Sequence, residues 1–164
     1  MGNFQQKFFT PKQALQKIQH YCSYQERTHY EVKEKLYSYG LKKNEVEDLL
    51  ATLIETNFLN EERFAEQFAG GKFRMKKWGK IKIQHELKLK KVSARNIQHA
   101  LNTIQEYDYL KTLSKLATIK WNSLKTEHYM SKKLKTTRYL LQKGYEHKYI
   151  QNIITFIISN NNSN

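Results

Sequence analysis

Apolar residues recur at the i, i+3, i+4 and i+7 spacing of an amphipathic helix along almost the whole chain. The clearest set comprises Val46, Leu49, Leu50 and Leu53. Near the start, Thr10 precedes a proline and Gln13, which predicts an N-cap, a first-turn proline and a capping box. These patterns predict an all-α fold.

The helical pattern also repeats. The four apolar positions return 51 residues later and again after a further 53, as Ile97, Ala100, Leu101 and Ile104 and then Ile150, Ile153, Ile154 and Ile157. The preceding helix follows the same offsets, with Val32 and Leu36, then Ile83 and Leu87, then Thr136 and Leu140. This agreement favours an internal repeat over accidental likeness between amphipathic helices.

The repeat predicts three tandem three-helix units at residues 10–56, 57–105 and 106–158, with an N-terminal extension at 1–9 and a disordered tail at 159–164. The first helices of the units are expected at Pro11 to about Cys22, Glu61 to about Met75, and Tyr107 to about Trp121. Because a unit of about 50 residues has little core of its own, we expect neighbouring units to share apolar surface in an elongated array.

One position is shared by all three units directly after the middle helix. Gly40, Lys91 and Gly144 occupy it, and left-handed backbone there stops a helix. Glycine adopts that conformation without strain. The sequence therefore predicts a left-handed helix stop at Gly40 and Gly144, whereas Lys91 leaves the stop geometry of the second unit open.

Charge is distributed in blocks. Residues 26–66 carry six basic and ten acidic side chains, whereas residues 72–95 carry ten basic side chains against one acid. Residues 111–148 carry ten basic side chains against two acids, and the whole chain has a net charge of +14. Such blocks attract a polyanion or an acidic protein, so they predict the kind of partner.

The cysteine count and the apolar segments disfavour several classes of protein. Cys22 is the single cysteine, so the chain predicts neither an intramolecular disulfide nor a cysteine cluster, and a reduced, cytoplasmic setting is expected. The first ten residues lack the apolar run of a signal peptide, and the interrupted stretch from Ile150 to Ile158 is too short to cross a bilayer. No membrane association is expected.

Catalytic chemistry is not indicated. The six histidines are scattered, and His85 with Glu86 lacks the second histidine of a zinc motif. Gly70 and Gly71 lack the spacing of a phosphate-binding loop and predict a break between a helix and a basic segment. We therefore expect no catalytic residue, no metal and no cofactor.

The basic segment from residue 72 is the candidate binding site. Six cations lie within eleven residues, a density that suits neutralisation of nucleic-acid phosphates. Phe73 and Trp78 are placed to stack on bases, although packing between units is the favoured alternative for Trp78, and a solvated face is the alternative for the lysines. Lysines outnumber arginines by 24 to five, which disfavours sequence-specific reading by a helix-turn-helix module.

The predicted binding residues fall into three sets. The central set is Lys72, Arg74, Lys76, Lys77, Trp78, Lys80, Lys82, Lys88, Lys90 and Lys91. A second is Lys132, Lys133, Lys135 and Arg138. The third, Arg27 and Arg63, lies in the acidic region, where pairing with Glu31 or Glu66 is an equal alternative.

Three segments together resemble the bacterial RecX family over roughly residues 14–157. They are QERTHYEVKEKLYSYGL from Gln25, NFLNEERFAEQF from Asn57, and KKWGKIKIQHELKLKKVS from Lys76. The matching positions are Arg27, Leu36, Leu59, Glu61 and Arg63, and also Gly40, Asn60, Phe64, Ala65, Gly79 and Leu87. These last six, together with Gly144 from the repeat, are the predicted structural motif. Lys91 departs from the family's glycine, and Thr136 from an apolar residue.

The resemblance implies a non-enzymatic, all-helical regulator that modulates the RecA recombinase and lodges in the groove of the RecA filament on DNA. RecA and DNA, contacted without sequence preference, are then the expected partners, and a monomer is expected. The alternatives are a free-standing DNA-binding regulator and a helical-repeat adaptor that binds only protein.

Overall fold

The computed structural model describes residues 8–162, and within that range the chain forms nine helices and no strand. The helices are α1 (Pro11–Tyr24), α2 (His29–Ser38), α3 (Lys43–Glu55), α4 (Glu61–Lys76), α5 (Lys80–Leu89), α6 (Ala94–Asn102), α7 (Glu106–Ser123), α8 (Tyr129–Lys143) and α9 (His147–Asn162). The predicted all-α class is confirmed. The nine helices follow one another as three triplets.

Side chains cap the starts of three helices, and the capping box predicted at Thr10 is present. The Thr10 side chain accepts a hydrogen bond from the Gln13 backbone N–H at 3.3 Å, and the Gln13 side chain accepts from the Thr10 N–H, which completes the capping box. Thr28 and Glu31 form the same box at α2. Asn60 caps α4 by accepting from the N–H of Arg63 at 2.9 Å.

Two expectations about boundaries are corrected. Gly70 and Gly71 do not break the chain but lie inside α4, which continues to Lys76, since an interior glycine weakens a helix by only about 1 kcal/mol. The segment expected as a disordered tail is helical from 159 to 162, because α9 continues to Asn162. Residues 163–164, and residues 1–7 of the expected N-terminal extension, lie outside the described residues.

The shared stop position has left-handed backbone in all three triplets. The φ angles are 84° at Gly40, 61° at Lys91 and 94° at Gly144. The Lys91 N–H donates to the carbonyl of Lys88, and the Val92 N–H donates to that of Leu87 at 3.1 Å. These bonds close the helix end and hold a lysine in a conformation that glycine adopts more easily.

The chain divides into two compact units. The first contains the described residues up to Ala65 together with Leu87–Ile97, and the second contains Glu66–Glu86 together with the described residues from Gln98 onward. In the first unit, α1, α2 and α3 enclose a core of Ala14, Ile18, Cys22, Val32, Leu36, Leu41, Val46, Leu49, Leu53 and Leu59.

The second unit is organised by α7, α8 and α9, which pack against one another. Its buried residues include Ile83, Tyr109, Leu113, Ala117, Trp121, Leu140, Tyr145, Ile150 and Ile154. In residues 8–162, every helix falls short of the length and apolar character that crossing a bilayer would require.

Candidate functional site

The start of α5 is capped by groups from the third helical triplet. Gly79 has no side chain with which to cap the helix. Its own N–H donates to the carbonyl of Lys143 at 2.7 Å, and the Ile81 N–H donates to that of Gly144 at 3.0 Å. The Lys80 N–H donates to the Tyr109 hydroxyl at 2.9 Å. The first N–H groups of α5 are therefore bound by residues distant in the sequence. By contrast, α2 is capped by the Thr28 side chain that directly precedes it.

The same network holds the connection between α4 and α5. The buried Tyr109 hydroxyl donates in turn to the carboxylate of Glu146 at 2.6 Å. The Tyr145 hydroxyl donates to the carbonyl of Lys77 at 3.0 Å, and the Lys143 ammonium donates to that of Lys76 at 3.1 Å. Residues 76–81 are thus a positioned element of the second unit.

Burial stabilises the protonated form of these phenols. Burial, and then the hydrogen bond to Glu146, raise the pKa of Tyr109 well above its ordinary value. Burial, followed by the nearby Glu146 charge, raises the pKa of Tyr145 in the same way. Both hydroxyls therefore remain hydrogen-bond donors across the physiological pH range.

Trp78 lies beside this connection with two lysines against its ring. The Lys72 ammonium lies 5.1 Å from the indole ring centroid and the Lys82 ammonium 4.6 Å from it. Trp78 is half-buried, so part of the ring remains open to a ligand. We define the Trp78 surface as Lys72, Lys76, Lys77, Trp78, Lys80 and Lys82. Phe73 instead packs against Tyr109, at 5.9 Å between ring centroids.

Lysines of this surface have aromatic rather than acidic neighbours. The Lys80 ammonium lies 5.0 Å from the ring centroid of Tyr109, and Lys72 also lies 5.3 Å from that of Phe68. The sequence contains no carboxylate from Lys72 to His85. The ammonium groups therefore retain their attraction for an external anion.

The predicted arginines of the first unit have internal partners. Arg63 binds the Glu26 carboxylate at 2.5 Å, and it also donates to the side-chain oxygen and backbone carbonyl of Asn57. Arg27 lies over the ring of Tyr21, 3.9 Å from its centroid. The suggested pairing with Glu31 or Glu66 is wrong for Arg63.

The acids suggested for those arginines have other partners. Glu31 lies 3.7 Å from the Lys90 ammonium, so this predicted binding lysine faces a carboxylate within the first unit. Glu66 contacts His99 at 2.6 Å in the second unit. Lys88 and Lys91 are exposed in the first unit. The central set of predicted residues is therefore divided between the two units, with Lys88, Lys90 and Lys91 in the first and the others in the second.

The basic residues of α8 form a separate group. The Lys132 ammonium lies 4.9 Å from the ring centroid of Trp121, and Lys135 binds Glu127 at 2.5 Å. Lys133 and Arg138 are exposed. Lys132 lies near the start of α8 and Lys143 at its end, about 16 Å apart along the helix axis. Lys132 and Lys133 are therefore near the opposite end of α8 from the Trp78 surface, and Arg138 lies nearer the middle of the helix.

Sequence reasoning missed the residues that position the Trp78 surface. Tyr109 and Tyr145 have the spacing of ordinary core residues, and nothing local links them to residues 76–81. The importance of Glu146 could have been predicted from the sequence, because it is one of only two acidic residues among residues 111–148. An isolated acid in a basic block indicates a specific internal partner, which here is Tyr109.

Comparison with known proteins identifies the family. A family model described as RecX, second three-helix domain, matches residues 60–101, which correspond to α4–α6. The regulatory protein RecX of Clostridium perfringens strain 13 is 32% identical over 136 residues, which cover 82% of this chain and 63% of that protein. The RecX of Chlorobium limicola is 29% identical over 133 residues, which cover 81% of this chain and 82% of that protein. The chain belongs to the RecX family.

Solved RecX structures share the fold. The crystal structure of RecX from Lactobacillus salivarius aligns with a TM-score of 0.84 at 24% identity, covering 88% of this chain and 94% of that one. A second crystal structure of regulatory protein RecX aligns with a TM-score of 0.79 at 20% identity. This RecX-family chain spans 63% of the length of the two Clostridium perfringens relatives.

Proposed function

We propose that this chain is a non-catalytic regulator of the RecA recombinase that binds the RecA–DNA filament and restrains recombination and SOS repair in the cytoplasm. The regulatory role rests on relatives that are named regulatory protein RecX, and membership of that family implies RecA as the partner. The observation that supports DNA contact is the Trp78 surface, where Lys72 and Lys82 lie against a half-buried indole and three further lysines lie nearby in the sequence.

The chemistry of this surface favours phosphate over base recognition. Lysine is a compact point charge that attracts phosphate without bidentate reading of a base edge. The Trp78 ring offers a stacking face to any base of a single strand, so it adds affinity without selecting a sequence. Both features suit a protein that binds DNA within a filament regardless of sequence.

The decisive experiment is RecA strand exchange and DNA-stimulated ATPase activity with added protein. The test variant is Lys76→Glu with Lys82→Glu, and the matched control is Lys12→Glu with Lys43→Glu. The control makes the same change in net charge in the first turns of α1 and α3, where the helix dipole favours glutamate. The wild type and the control should restrain RecA, whereas the test variant should need about tenfold more protein.

Other results would support the alternatives. An absence of any effect of the wild type at stoichiometric concentration would remove the RecA proposal. Tight, sequence-selective binding to naked duplex would then favour a free-standing DNA-binding regulator, and capture of protein without DNA would favour an adaptor. If four to six phosphates are neutralised on duplex DNA, the slope of log affinity against log salt should be roughly −4 to −5.

A further inference from the structure

A basic and aliphatic groove lies along one side of α7, next to the end of α4. It encloses about 340 Å³ and is lined by Lys77, Lys111, Thr112, Lys115, Leu116 and Ile119. The residues of α7 recur one helical turn apart, so they form a continuous stripe on the helix. Ile119 is 58% exposed, which leaves an apolar side chain open at the end of a cationic stripe.

The wall formed by Lys77 is held in place. Lys77 has a left-handed φ of 57°, and its carbonyl accepts from the buried Tyr145 hydroxyl at 3.0 Å. Its ammonium donates to the carbonyl of Arg74 at 2.6 Å. The opposite face of α7 is buried at Tyr109 and Leu113. Both walls of the groove are therefore anchored to the core of the second unit.

The residues that line the groove favour a ligand that is both negatively charged and apolar in part. Three ammonium groups attract negative charge, and no carboxylate lines the groove. Leu116 and Ile119 gain from burial against aliphatic side chains, at about 25 cal/mol per Å² of apolar area. No aromatic ring lines the groove itself, in contrast to the Trp78 surface, and the exposed Tyr107 ring lies beside it, 5.7 Å from the Lys111 ammonium. A nucleic acid would use the charge but leave the aliphatic residues exposed.

We propose that this groove binds an acidic segment of a partner protein that carries aliphatic side chains. The proposal goes beyond the DNA contact assigned to the Trp78 surface, because five of the six lining residues lie outside that surface. A second copy of this chain is a weaker occupant. Its α3 exposes Glu47, Ile54 and Glu55, but a net charge of +14 opposes self-association.

The test measures fluorescence anisotropy with a short labelled peptide that alternates pairs of glutamate with pairs of leucine. A fluorescent oligothymidylate serves as the nucleic-acid probe. The double substitution Lys111→Ala and Lys115→Ala should weaken peptide binding about tenfold. Ile119→Ser should weaken it about threefold to tenfold through lost apolar contact, with oligothymidylate binding unchanged. A peptide with serine in place of leucine should lose affinity and become insensitive to Ile119→Ser.

The variants separate this groove from the Trp78 surface. Lys72→Ala with Lys82→Ala should weaken oligothymidylate binding more than peptide binding, and its failure to do so would count against the proposed DNA contact alone. Equal losses for both probes in the Lys111 and Lys115 variant would identify a phosphate site and overturn the groove proposal. Unchanged peptide binding by Ile119→Ser would also overturn it.

Self-association provides a further outcome. Sedimentation equilibrium of the wild type should show no dimer that depends on the groove. A dimer that disappears in the Lys111 and Lys115 variant would make a second copy of this chain the occupant of the groove, which contradicts the proposal of a separate acidic partner.

Discussion

Gly79 and Gly144 pack backbone against backbone at the start of α5. A Cβ atom built on Gly79 would overlap the carbonyl of Gly144, and one built on Gly144 would overlap Lys82. The close approach lets the N–H groups of Gly79 and Ile81 reach the carbonyls at the end of α8. The missing side chains therefore provide the space in which the third triplet caps the middle one.

Gly79→Ala should destabilise the protein by about 2 kcal/mol or more, because the methyl group meets backbone atoms that cannot move aside without breaking the cap. Urea unfolding followed by circular dichroism measures the change. The variant should also weaken the proposed DNA binding, since residues 76–81 lose their anchor.

Gly71→Ala is the matched control for this substitution. Gly71 lies inside α4, and a Cβ atom there would meet nothing within 4 Å. Alanine should stabilise the helix by about 0.5–1 kcal/mol. Equal destabilisation by both substitutions would show that the contact with Gly144 is not the cause.

Lys91→Gly should stabilise the protein by about 0.5–1 kcal/mol, because glycine adopts the left-handed backbone at residue 91 without the strain that a lysine Cβ adds. Thermal unfolding measures the shift. Lys88→Gly, inside α5, should have the opposite effect because glycine is unfavourable in a helix. A loss of stability in Lys91→Gly would mean that contacts of the lysine side chain stabilise the protein by more than the left-handed backbone at residue 91 destabilises it.

Much of the fold could be predicted because its signals are local or periodic. The spacing of apolar residues predicted the helices, and Thr10 with Gln13 predicted the first capping box. The aligned position of Gly40 and Gly144 predicted a left-handed stop, which the structure extends to Lys91. Each of these features depends on residues within a few positions of one another.

The candidate site could not be predicted as fully, because its geometry depends on long-range contacts. Sequence density grouped Lys72 with Lys90, but the chain places them in different compact units. Lys143 lies far from Lys76 in sequence yet binds its carbonyl. A density of charge predicts affinity for an anion, whereas only the fold determines which charges act together.

Thr136→Val should stabilise the protein by about 1 kcal/mol. The Thr136 hydroxyl is fully buried and has no hydrogen-bond partner among residues 8–162, which is unfavourable for a polar group. The repeat places Val32 and Ile83 at the equivalent positions, so an apolar side chain suits this environment. Urea unfolding provides the measurement. Thr136→Ser retains the hydroxyl and should not stabilise; a gain with serine would contradict this explanation.

Tyr109→Phe should destabilise the protein by about 1–3 kcal/mol, because Glu146 loses a donor and the Lys80 N–H loses its acceptor. The difference from wild type should shrink in alkali. Since the fold raises the pKa of Tyr109, its stabilising effect is complete below the unfolded value of about 10 and decreases above it.

Unfolding at a series of alkaline pH values tests this linkage. The free-energy difference between wild type and Tyr109→Phe should decrease by up to about 1.4 kcal/mol per pH unit above pH 10. Tyr39→Phe tests the same linkage at a second site, because burial also raises the pKa of Tyr39 and its difference from wild type should change in the same direction. A constant difference for Tyr109→Phe across this range would contradict the assigned protonation.

Cys22 should react slowly with a thiol reagent in the folded protein. Burial raises the pKa of its thiol from 9.0 to about 11, despite the opposing charge of Arg27, so at pH 8 the reactive thiolate is about 100-fold scarcer than in an unfolded chain. Shielding in the core slows the reaction further. The rate should increase with pH beyond 9, where an ordinary thiol is already ionised.

Moving the cysteine by one residue, with Cys22→Ala and Ser23→Cys, places it on the exposed face of α1 and should restore ordinary reactivity. Equal rates at the two positions would show that α1 opens readily and does not hold Cys22 in a stable core.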